Sequence, residues 1–93
     1  MGRSIPLATL NAEIRTVVSL GGTELEALWF DCPVCEPGHS HMIPFHDGDP
    51  VELRGLGKVW KLAAADAEGI TLAPSYRSRC LHAFVRHGVL EVL

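Results

Sequence analysis

The residues of this chain best suited to chemistry are its three cysteines and five histidines. Cys32-Pro33-Val34-Cys35 follows an apolar run, and Cys80-Leu81-His82 answers it about 45 residues later. Zinc takes thiolate sulfur and imidazole nitrogen, usually four ligands in a tetrahedron, and a Cys-x-x-Cys turn presents two sulfurs to one ion. In a strand, Cys80 and His82 would point to the same side. The spacing therefore predicts one closed, structural zinc site of Cys32, Cys35, Cys80 and His82. His41, six residues after Cys35, is the alternative fourth ligand. Three thiolates and an imidazole would leave no position for water, so the ion would be catalytically silent.

Other chemistry fits less well. A redox role for Cys32 and Cys35 wants the pair at a helix N-terminus in an α/β setting, and Pro37 and Gly38 interrupt a helix there. His39 would share a face with His41 if that piece is extended. His46 and His87 read as surface or turn residues. Thr71, Pro74 and Ser75 look like a strand-end turn rather than a nucleophile's setting, because no recognisable motif places a base. Trp29, Phe45, Trp60, Tyr76 and Phe84 read as core rather than as a stacking platform for single-stranded nucleic acid.

The elements that must hold these groups read as strands. Residues 13–20 are rich in β-branched side chains, Gly21-Gly22 signals a tight turn, and residues 23–30 lead extended into the first cysteine pair. Residues 32–49 read as loop, with a short extended piece at 41–45. Residues 47–57 are polar and glycine-rich, the expected mobile segment. Strands follow at 58–63 and 70–76, around a turn at 66–69. Residues 81–86 and 89–93 form a last hairpin about His87-Gly88, with apolar side chains on both faces of the final strand. Residues 1–11 carry no strong pattern and are expected to be flexible. The reading is an all-β, small antiparallel zinc-ribbon-like domain, stapled by one metal site and spanning residues 1–93.

Size and composition fit. A chain of 93 residues is one domain, and small domains often need a metal to make up for a limited core. Hydrophobic residues make up 47%, which argues against disorder. The formal net charge of −3 gives no overall field to attract nucleic acid. After residue 70, however, Arg77, Arg79 and Arg86 face only Glu91. No apolar stretch is long enough to span a bilayer, the start lacks the apolar segment of a secretory signal, and an odd cysteine count makes a poor disulfide framework. A reducing cytoplasm and no membrane are expected.

The second half resembles a known family. Trp60, Thr71-Leu72-Ala73-Pro74-Ser75, Cys80-Leu81-His82-Ala83-Phe84-Val85 and residues 88–93 are similar to small phage and prophage proteins often labelled ammonia monooxygenase. A related domain occurs in bacterial operons, some with ubiquitin-like conjugation genes. His41-Met42-Ile43-Pro44-Phe45 matches a further element of that pattern. The chain departs from it where Glu36 and Pro37 replace a glycine, where Ile70 and Ala73 replace a proline and a serine, and where Leu81 separates Cys80 from His82. The resemblance implies a metal-binding β fold of phage or mobile-element origin.

The expected function is that of a non-enzymatic zinc-binding accessory protein of a phage or prophage, in the host cytoplasm or the virion. It would bind a host or phage protein, and Arg77, Arg79 and Arg86 are the candidate contact residues. The alternatives are a nucleic-acid-binding zinc ribbon, a small virion structural protein and a metal-dependent hydrolase.

Overall fold

The computed structural model describes residues 2–34, 38–67 and 69–93. Among these residues nine strands form one sheet: β1 (Arg3–Pro6), β2 (Glu13–Val18), β3 (Glu24–Asp31), β4 (Ser40–His46), β5 (Val51–Leu53), β6 (Gly57–Asp66), β7 (Gly69–Arg77), β8 (His82–Arg86) and β9 (Val89–Val92). The order across the sheet is β1-β9-β8-β7-β6-β4-β3-β2, and β5 pairs with β6 off this path. The all-β class agrees with the sequence. Not every neighbour is antiparallel, because β4 and β6 pair in parallel through Phe45 with Trp60 and His46 with Lys61.

Three stretches differ from expectation. Residues 3–6, expected to be flexible, form β1 and pair with β9 from Arg3–Val92 to Pro6–Val89. A final strand would otherwise expose a row of unpaired backbone groups, and β1 covers that edge. Residues 40–46 make a full strand against β3 rather than a short extended piece. The polar segment after it holds β5, paired with the start of β6. Strands of three or four residues are too short to show alternation, which is why β1 and β5 escape a sequence reading.

The last hairpin is as predicted. β8 and β9 pair from Ala83–Val92 to Arg86–Val89. His87 and Gly88 have φ of 50° and 75°, as two-residue hairpin loops with positive φ require. Gly88 donates from its amide to the Ile70 carbonyl at 2.9 Å. A Cβ placed on Gly69, whose φ is 132°, would lie 2.5 Å from the Gly88 Cα. Only glycine lets these two turns pack backbone against backbone.

One core cluster joins Phe30 of β3, Ile43 of β4, Trp60 of β6, Leu72 of β7, Val85 of β8 and Leu90 of β9. These strands run from near one edge of the sheet to near the other. A flat sheet could not bring them together, so the sheet curls and closes on its own apolar face. Alternation assigns the faces: Ala83 and Val85 of β8 are buried, while His82 and Arg86 are exposed.

Candidate functional site

Cys32, His41 and Cys80 offer ligand atoms that all lie within 4.8 Å of one another. Each comes from a different part of the chain. Cys32 follows β3, and its amide donates to the His39 carbonyl at 2.9 Å, which ties the start of the cysteine loop to the approach of β4. His41 lies on β4, directly across from Phe30. Cys80 sits in the connection between β7 and β8, where the Ser78 amide donates to the Leu81 carbonyl at 2.7 Å. Leu81, 1% exposed, anchors this connection in the core.

His41 is 3% exposed. Its ring meets Phe30, His39 and Tyr76 at centroid distances of 5.4, 4.9 and 5.3 Å, and its Nδ1 lies 2.9 Å from the Tyr76 hydroxyl. Burial, and then the charge of His39, lower its pKa and favour neutral imidazole, the form that binds metal. Burial raises the pKa of the Tyr76 hydroxyl, opposed by a hydrogen bond from Ser78 and reinforced by Cys32. A partner on the second ring nitrogen of a ligating histidine fixes its tautomer and orientation. The group is therefore compatible with a metal ion, and Tyr76 supplies the support such a site needs. Cys80 is disulfide-bonded in this structure, a covalent alternative to ligation.

The four ligands expected from sequence are placed differently. Cys32 and Cys80 come together, His41 joins them, and Cys35 lies outside the described residues. His82 is not in the group. The spacing argument put Cys80 and His82 on one strand, whereas β8 begins only at His82 and Cys80 lies in the bend before it. Two residues of separation then no longer mean a shared face. Beside the group, a cleft of about 710 Å³ is lined by His39, Ser40, Met42, Tyr76 and Arg79, among others.

His82 meets Ser75 instead, with Ser75 Oγ 3.4 Å from His82 Nε2. The β7–β8 ladder explains how. Leu72 pairs with Val85 and Tyr76 with Ala83, so β7 advances four residues while β8 advances two. The extra residues make a bulge, and bulges re-aim side chains. Pro74, with no N–H for a ladder, is suited to such a place. Beyond the bulge, Tyr76 lies across from buried Ala83 and Arg77 across from exposed His82. Ser75, next to Tyr76, turns outward to His82. The Trp60 indole donates to the Ser75 carbonyl at 3.4 Å, holding the bulge to β6. No motif reveals this pair in the sequence, because the bulge and the register place it.

The three arginines lie apart. Arg77 is opposite His82, and Arg79 lines the cleft. Arg86 is at the far end of β8, 3.1 Å from Glu91 and 4.1 Å from the centre of the Phe84 ring. No helix among the described residues is long and apolar enough to cross a membrane.

The curled sheet thus carries an outward Ser–His pair, the core pairing of hydrolases that use a serine nucleophile, and a Cys/His group centred on the inward His41. The family model described as "Bacterial ubiquitination-like system serine protease (BubE)" matches residues 3–93, and the chain belongs to that family. No curated protein and no solved structure matches the chain. The family description agrees with the part of the resemblance that pointed to ubiquitin-like conjugation genes. It overturns the expectation that the chain is not an enzyme, since the family is described as a protease. That expectation came from weighing the metal site alone, with Ser75 treated as a turn residue.

Proposed function

We propose that this protein is a serine peptidase of a ubiquitination-like system, with Ser75 as nucleophile and His82 as general base. The observation that carries the reading is the approach of Ser75 Oγ to His82 Nε2 at 3.4 Å. This is a loose contact, as nucleophile–base contacts often are before substrate binds. With its proton on Nδ1, His82 accepts the Ser75 hydroxyl proton at Nε2 as the oxygen attacks the substrate carbonyl carbon. The C–N bond then breaks, and His82 returns the proton to the departing amine. Water, deprotonated by His82 in turn, attacks the resulting ester and releases the acid and free Ser75. In this reading Ser75 and His82 are the two groups that move the proton.

Zinc is the metal we assign to the inward group, with Cys32, His41 and Cys80 as ligands and Cys35 as the fourth that the Cys-x-x-Cys spacing supplies. With the Cys80 disulfide reduced, three thiolates and one imidazole form a closed structural set. The role is architectural: it ties the β3–β4 and β7–β8 connections together.

Diisopropyl fluorophosphate tests the enzymatic reading, because it bonds to activated serines. Peptide mapping by mass spectrometry should find the adduct on Ser75, lost in Ser75→Ala and much slowed in His82→Ala. Folded protein that takes no label at Ser75 would refute the reading.

A further inference from the structure

The charge of this chain is divided unevenly along its sequence. Before Gly69 there are ten acidic residues and five basic ones; from Gly69 onward there are one acidic and three basic. The single late acid, Glu91, is held 3.1 Å from Arg86. The Ser75–His82 pair belongs to this basic part.

Arg77 is the cation placed to use that imbalance. It pairs directly with His82 in the β7–β8 ladder, on the outward face. Side chains directly opposite in an antiparallel pair stand with Cβ atoms about 4.5–5.5 Å apart. A guanidinium reaches farther than that, so Arg77 can place its charge beside the atoms that would react. Arg77 is exposed, and among the described residues no carboxylate is recorded with it, whereas Arg15 holds Glu13, Lys61 holds Asp49 and Arg86 holds Glu91. Arg79, also exposed, follows two residues later at the mouth of the cleft.

We infer that Arg77 is a specificity-determining residue and that the Ser75–His82 site takes acidic peptides, with a carboxylate flanking the bond to be cut. The inference rests on the serine-peptidase reading for its catalytic sense, but the binding it describes can be tested separately. An acidic segment would be drawn to the Arg77 charge beside the Ser75–His82 pair. A planar fork of donors suits a carboxylate.

The test uses full-length Ser75→Ala protein and fluorescently labelled peptides that differ only in carrying Glu or Lys at the positions around a central amide bond. Anisotropy should show the acidic peptide bound up to about fivefold tighter, the scale of one exposed ion pair. The preference should shrink as salt rises. Arg77→Ala should remove most of it, Arg77→Lys should keep most of it, and Arg77→Glu should invert it. Equal binding of the two peptides, or a preference indifferent to Arg77→Glu, would overturn the inference. Fluorophosphate labelling of the native chain separates this result from the catalytic reading: a labelled Ser75 with no peptide preference defeats only the inference. Selective acidic binding without labelling would defeat only the peptidase reading.

Discussion

Two adjacent residues of β7 lead to two different chemical settings. Tyr76 turns inward, where its hydroxyl supports His41 at 2.9 Å beside Cys32 and Cys80. Ser75 turns outward to His82. The inward group is assembled from two connections and one strand, with His41 packed against aromatic rings, so it bears on whether those connections hold together. The outward pair depends on one stretch of ladder, and little is buried on it. A group that organises the chain is costly to lose. A group that reacts must be reachable and can be lost with the fold intact.

The sharpest way to break this contrast is to remove the inward group. In zinc-finger peptides a structural zinc contributes roughly 10–16 kcal/mol, as large as the roughly 5–15 kcal/mol net stability of a whole domain. A strong chelator, or the His41→Ala variant, should therefore abolish the cooperative thermal transition by calorimetry, and elemental analysis of untreated protein should give one zinc per chain. Metal-free protein in which only one of the three cysteines reacts with a thiol reagent, with an unchanged melt, would instead assign the stabilisation to the disulfide at Cys80.

Ser75→Ala should show the opposite pattern. It should end fluorophosphate labelling while keeping stability within about 0.5 kcal/mol, as for substitutions outside the core. A Ser75→Ala protein that no longer melts cooperatively would mean that the bulge, not the reaction, needs this hydroxyl. Tyr76→Phe lies between the two. The ring contacts with His41 and Trp60 would remain, but the hydroxyl's hydrogen bonds with His41 and Ser78 would go, a cost of about 0.5–1.5 kcal/mol each by urea denaturation. No measurable change would remove Tyr76 from the support of His41. The smallest effect belongs to Glu91→Gln. Its partner Arg86 is about half exposed, and such pairs contribute about 0–1 kcal/mol. A larger shift in the melt would show that β9 depends on this pair more than its exposure indicates.

How far the sequence revealed these regions follows the same division. The first two strands, read as 13–20 and 23–30, were legible because β-branched and apolar residues flank the Gly21-Gly22 turn, and His87-Gly88 announced its hairpin through turn chemistry. Cys32 and Cys80 were readable as soft ligands by type alone. His41 against His82 was not, because the choice depends on where β8 begins, and a boundary shift of two residues reverses it. Ser75 with His82 was least readable. Their meeting depends on two residues of β7 that have no counterpart in β8, and a pairing register is a property of two strands together that neither shows alone.

The bulge between Leu72 and Tyr76 has a consequence for how this chain can change length. Side chains along a strand alternate, so parity decides which hydroxyl faces which way. Removing one residue between Leu72 and Ser75 would move every later residue of β7 by one place against β8. Ser75 would then come to the inner surface and Tyr76 to the outer, and each would meet the other's partner. Removing two would restore parity and leave an even ladder without the bulge. Substitutions can alter either setting by itself, whereas single-residue insertions and deletions here act on both at once. Viable length changes among relatives should therefore fall in the turns at either end of β7 and spare the stretch between them.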